Sequence, residues 1–101
     1  MAVYFLGELE TSSWDWYREY RRNSEPLVEK HGGRYLIKGG ESERLEGGKG
    51  LPSAFVLIEF PDVESAKGFY NDPEYAPMIK LRQASGVQTD VCIIRGIEEP
   101  A

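Results

Sequence analysis

The chain has 101 residues, 41% hydrophobic and 12% aromatic, which suffices for one hydrophobic core and is too short for two ordinary domains. Its 17 acidic and 12 basic residues give a formal net charge of -5 with the basic groups scattered, which argues against nucleic acid as a partner, since phosphate binding relies on clustered Lys and Arg. A single cysteine, Cys92, precludes an intrachain disulfide and a multi-cysteine metal site, and points to a reducing cytoplasm.

Met1 to Glu8 carries no basic lead and only a short apolar stretch, so it reads as neither a signal peptide nor a membrane span. Val3 to Leu9 mixes β-branched and aromatic residues and predicts a first strand. Ser12 or Ser13 is the expected N-cap of a helix whose inward face carries Ser13, Tyr17, Tyr20, Ser24, Leu27, Val28 and His31 at about 100° per residue. Pro26 removes one backbone hydrogen bond and predicts a kink near Asn23 and Ser24. His31-Gly32-Gly33 supplies the helix stop.

Arg34 to Lys38 predicts a second strand and Ala54 to Phe60 a third. Between them, the alternating piece Glu41 to Glu46 reads as an extension of the second strand, bulged at Gly39-Gly40. Pro61-Asp62 opens a second helix with Val63, Ala66, Phe69 and Tyr70 on its apolar side. Asp72-Pro73 opens a short helix carrying Tyr75, Met78 and Ile79, which Gly86 ends. Val87 to Arg95 is the fourth strand, so residues 1–97 form one domain and 98–101 a tail.

The order β, α, β, β, α, β is the split βαβ pattern of an α+β, ferredoxin-like domain with a four-stranded antiparallel sheet. Right-handed crossovers place both helices on one sheet face. Yet the third and fourth strands are apolar on both faces: Ala54, Val56, Ile58 and Phe60 oppose Phe55 and Leu57, and Val91 and Ile93 oppose Cys92 and Ile94. The second face therefore needs a cover, and a second copy of the chain, a homodimer through the sheet face, is the expected one.

Ile58-Glu59-Phe60-Pro61, then Ala66, Phe69-Tyr70 and Asp72-Pro73-Glu74-Tyr75, together with the upstream run from His31 to Gly40, resembles the small bacterial family catalogued as domain of unknown function 1330. The resemblance spans nearly the whole chain and implies a dimeric α+β barrel, with two ferredoxin-like subunits facing their sheets together. It implies no activity, and the wider barrel superfamily holds cofactor-free monooxygenases, haem-handling enzymes and plain binders. Lys38 stands where the family usually has Arg, and a point charge does not reproduce a bidentate guanidinium.

Two residues are candidates for catalysis. Glu59 puts a carboxylate on an otherwise apolar strand face, either as a proton shuttle of raised pKa or as a cross-strand partner of Arg34. His31, the sole histidine, is either a base or a group favoured by the helix C-terminal dipole. Ligand-binding candidates are Ser24, which lines a polar pocket with Tyr17 and Tyr20 or bonds within its own helix, and Arg34 and Lys38, which project on one side of their strand toward an anion or guard an edge. Tyr70 and Tyr75 either reach a ligand or fill the core. Cys92 reads as a small buried hydrophobe. No metal or cofactor is expected. The functional expectation is a cytoplasmic homodimer holding a small organic molecule between helices and sheet, with cofactor-independent proton transfer as its chemistry. The alternatives are a non-catalytic assembly module and, by fold analogy, a monooxygenase-like or haem-handling enzyme.

Overall fold

A computed structural model describes residues 2–96, and the expected tail at 98–101 lies outside them. The elements run β1 (Val3–Glu10), α1 (Tyr17–Lys30), β2 (Arg34–Lys38), β3 (Ala54–Phe60), α2 (Val63–Tyr70), α3 (Ala76–Ala84) and β4 (Gln88–Arg95). The sheet order is β2-β3-β1-β4, with every neighbouring pair antiparallel, so each helical crossover skips one strand. This is the ferredoxin-like arrangement, with α3 added before the last strand.

Strand register sorts the side chains into rows. On the inner face, Tyr35, Ile58, Phe5 and Ile93 lie across the four strands, and beside them run Lys38, Val56, Gly7 and Val91. The helices cover these rows. Leu27 and Val28 from α1, Ala66 and Phe69 from α2, and Tyr75 and Met78 at the start of α3 share one core with Val3, Phe5, Ile58 and Phe60. On the outer face, Ile37, Leu57, Leu6 and Cys92 form one row and Arg34, Glu59, Tyr4 and Ile94 the next. Nothing within the described residues covers that face, and Ile37 and Ile94 are exposed.

Helix ends follow the sequence where side chains and glycines set them. Asp62 caps α2 by accepting from the Ser65 backbone N–H at 2.7 Å. Both α1 and α3 close with paired bonds past the last turn, Gly33 N–H to the Val28 carbonyl and Val87 N–H to the Arg82 carbonyl.

Four local expectations are corrected. First, α1 does not start at Ser12 or Ser13 but at Tyr17, with Trp16 at the cap. Thr11 and Ser13 spend their hydroxyls on a local turn, and Ser13 also accepts the Trp16 indole N–H on its carbonyl at 2.9 Å. That turn lets Trp16 bury against Leu9 and Val87, a larger apolar gain than an earlier cap offers. Second, Glu41 to Glu46 is no strand. Gly39 and Gly40 take φ of 84° and 90°, which steers the chain out of the sheet, and Leu45 is left 92% exposed. Third, the bulge lies between Tyr35 and Ile37, not at the glycines. Fourth, Cys92 is exposed, because its row faces outward on an edge strand that none of the described residues covers.

Candidate functional site

The misplaced bulge matters for the site. One extra residue at Leu36 pairs Lys38 with Val56 instead of Phe55 and so moves it to the inner face, while Arg34 stays with Glu59 on the outer row. The expectation that Arg34 and Lys38 project on one side therefore fails. Lys38 instead faces α1, bonding Glu25 at 3.2 Å with its ammonium 4.8 Å from the Tyr35 ring centre. Arg34 bonds Glu59 at 2.9 Å, the cross-strand pair.

Of the spaces between α1 and the sheet, two adjoin each other. The larger is an open cleft of about 880 Å³ whose charged lining is Arg18, Arg21, Arg22 and Lys38 against the single carboxylate Glu25. Burial opposes ionisation of Glu25, but bonds from Arg21 and Lys38 outweigh it and hold the carboxyl below its ordinary value. The smaller is an inner cavity of about 30 Å³ with Phe5, Gly7, Tyr20, Tyr35, Tyr75, Arg82, Thr89 and Val91 in its wall. Tyr17, Arg21 and Glu25 line both spaces, so the cleft and the cavity meet at their side chains. Gly7 sets the cavity floor: it stands in the middle of the central strand, where the row of inward side chains is interrupted.

The cavity wall is polar in one sector. Arg82, in the last turn of α3, is only 4% exposed and lies with its guanidinium carbon 5.6 Å from the Tyr20 ring centre, beside the Tyr75 phenol. Tyr20 and Tyr75 hydrogen-bond through their hydroxyls. Burial pushes the Tyr75 phenol far above its ordinary value and the Tyr35 phenol nearly as far, so at neutral pH both are hydrogen-bonding phenols and neither is a base. Arg82 Nε and Thr89 Oγ1 are buried with no hydrogen-bond partner, and among the described residues no carboxylate lies within ion-pair distance of Arg82.

The candidate residues from the sequence fall in different places. Tyr75 is in the cavity wall and Lys38 in the cleft. Glu59 and Arg34 are paired on the outer face, and Tyr70 sits on the exposed flank of α2 against Phe5 and Tyr75. His31 lies outside both spaces, where its Nε2 meets Asp72 Oδ2 at 2.8 Å and ties the end of α1 to the segment between α2 and α3. Ser24 is buried, but neither lines the cavity nor bonds back to its own helix; its Oγ has no partner.

Arg82 and Thr89 escaped the reading of the sequence, although the signal was there. Arg82 follows Tyr75, Met78 and Ile79 at the spacing of one helical face, and Thr89 shares an alternation with Val91 and Ile93. A charge on an apolar helix stripe was the clue.

Among the described residues, no helix is long and apolar enough to cross a membrane, and no three His, Cys, Asp or Glu side chains stand together as a metal site. A profile of the family described as "Domain of unknown function (DUF1330)" matches residues 2–97. The chain belongs to the DUF1330 family. Comparison with curated proteins found no match. Among solved structures, this DUF1330 chain is similar to RPA0582, a protein of unknown function from Rhodopseudomonas palustris, at 22% identity and a TM-score of 0.72 over 97% of this chain and 84% of that one. It is also similar to a putative antibiotic biosynthesis monooxygenase from Deinococcus radiodurans, at 13% identity and a TM-score of 0.67 over 100% and 97%. SnoaB, a cofactor-independent oxygenase from Streptomyces nogalater, aligns at 10% identity and a TM-score of 0.65 over 97% and 95%. At these identities the likeness is one of fold, and the ferredoxin-like α+β architecture is common to all three.

Proposed function

We propose that the chain binds a small organic molecule in the space between its helices and its sheet, and that two copies pair through their outer sheet faces. The observation that carries the binding reading is Arg82. Burying a guanidinium disfavours folding by several kcal/mol, and an apolar side chain of similar size serves packing as well or better. A buried cation with an unpartnered Nε, in the wall of a cavity whose floor is a glycine, is a poor structural choice and a good binding one. The larger cleft, open to solvent, shares the side chains of Tyr17, Arg21 and Glu25 with that cavity.

Pairing is supported by the outer row of Ile37, Leu57, Leu6 and Cys92, an apolar band across all four strands. Its borders are polar: the Arg34–Glu59 pair on one side, Glu8 and Asp90 on the other. An apolar centre with a charged rim is how protein interfaces are built, and a sheet covered on one face only leaves this one in water. Leu57→Lys places a charge at the centre of the band. Sedimentation of the wild type as a dimer and of this variant as a folded monomer is the expected result, and a monomeric wild type contradicts the pairing.

The binding reading is tested with Gly7→Val. The nearest atom to an added Cβ is Val56 Cβ at 3.8 Å, an ordinary contact, so the strand accepts the side chain while the cavity loses its floor. Small-molecule fragments that raise the melting temperature of the wild type are expected to lose that effect in Gly7→Val. Equal shifts in both proteins contradict the site.

A cofactor-free proton-transfer reaction is the chemical extension of this reading. The Tyr20–Tyr75 hydroxyl pair beside Arg82 is the arrangement that supports it, since a neutral phenol next to a fixed cation is placed to donate to a developing negative charge on a bound molecule.

A further inference from the structure

We infer that the molecule taken up by this site is a small organic acid, whose carboxylate enters the inner cavity and pairs with Arg82 while its organic body stays in the cleft. The inference rests on the binding site proposed above and adds the chemical class of its ligand. The first argument is charge. Arg82 lines the same space as Tyr20, Tyr75 and Thr89, which offer hydrogen bonds but no negative charge, and among the described residues no carboxylate pairs with it. A buried cation is stable when neutralised at close range, and a ligand's carboxylate would supply that counter-charge.

The second argument is the donor set. The unpartnered Nε of Arg82 and the unpartnered hydroxyl of Thr89 belong to two residues that line one small space. A carboxylate has two oxygens in a plane and takes a guanidinium fork on one edge, a match that a single neutral oxygen does not offer. The third argument is size. A cavity of about 30 Å³ admits a group of a few atoms and no ring, whereas the adjoining cleft of about 880 Å³ has room for the rest of a molecule. Inorganic phosphate fits this division badly, being tetrahedral, more highly charged and without an apolar body for Leu9, Trp14 and Val56.

The fourth argument is the approach. A chain of net charge -5 repels anions at long range, yet its cleft carries four cations against one carboxylate. That local reversal draws an acid toward the cavity mouth at Tyr17, Arg21 and Glu25.

Calorimetric titration of the full-length protein with benzoate and hexanoate, against benzamide, hexanamide and inorganic phosphate, tests the inference. The acids are expected to bind about tenfold or more tightly than their amides and than phosphate, and to weaken as the pH falls below each acid's own pKa. Arg82→Met is expected to abolish the preference for acids over amides. Thr89→Val, nearly isosteric and free of the unpartnered hydroxyl, is expected to fold normally and to weaken acid binding several-fold. Equal binding of acids and amides, or an acid preference that survives Arg82→Met, overturns the inference and leaves the cavity as a neutral-ligand site. Binding of neither acids nor amides to the wild type overturns the inference and the binding reading together.

Discussion

Two polar clusters sit beneath the helices, and they are built on opposite principles. In the first, Asp72 is nearly inaccessible and both carboxylate oxygens are used: it takes His31 Nε2 at 2.8 Å, Lys30 Nζ at 3.1 Å and the Glu74 backbone N–H at 2.9 Å. In the second, Arg82 Nε and Thr89 Oγ1 have no partner among the described residues. A satisfied cluster fixes structure, here the end of α1 against the chain between α2 and α3. An unsatisfied one carries a cost that a bound group can relieve. The sole histidine drew attention to the first cluster; the second is the one proposed above as the site.

Phe69 touches both, 6.5 Å from the His31 ring centre and 4.4 Å from that of Tyr75, so its removal is the harshest way to blur the contrast. Phe69→Ala is expected to lower unfolding free energy by about 3–5 kcal/mol in urea denaturation. Gly33→Ala comes next. An added Cβ would lie 2.6 Å from the Phe60 ring and 2.9 Å from Val28, two buried side chains with no room to withdraw. A loss of about 1–3 kcal/mol is expected, since overpacking strains the core beside the first cluster.

Asp72→Asn separates the clusters. His31, the Glu74 N–H and Lys30 hold the Asp72 carboxyl far below its ordinary 3.8, so its contribution is complete above that pH and fades as the pH falls further toward the folded value. The variant is expected to melt several degrees lower at neutral pH, to lose part of the wild-type decline in acid, and to bind ligands unchanged. Arg82→Met inverts that pattern: thermal stability equal or raised, because the buried charge is gone. A marked loss of stability in Arg82→Met would place both clusters in the same structural role. The smallest effect belongs to the exposed arm. Trimming residues within 41–50 is expected to move stability by no more than about 0.5 kcal/mol, since that segment packs against little.

How much of this the residues announce depends on the range of the interaction. The succession of strands and helices along the chain, the Asp62 cap, the stops at Gly32 and Gly86 and the two-sided apolarity of β3 are local signals, and each is present in the fold. The Arg34–Glu59 pair needed only register. What escaped is set by competition between distant groups. Trp16 displaced the serine cap because Leu9 and Val87 wait for it across the sheet end. Alternation from Glu41 to Glu46 suggests a strand, but a strand needs a neighbour, and β3 begins at Ala54, too late to pair with it. The bulge at Leu36 moved Lys38 to the other face, a single-residue shift that composition does not encode. Arg82 was legible in principle, seven residues beyond Tyr75 on one stripe, yet a lone charge there reads as surface until the helix's neighbours are known.

The inner cavity either takes a ligand or does not. Native mass spectrometry of the protein freshly isolated from its expression host, with Gly7→Val in parallel, addresses that directly. The prediction is a wild-type dimer that carries the mass of a small organic acid, retained or added as benzoate, and a Gly7→Val dimer that carries none. A wild type that binds no acid, or one that yields the same bound mass as Gly7→Val, contradicts it.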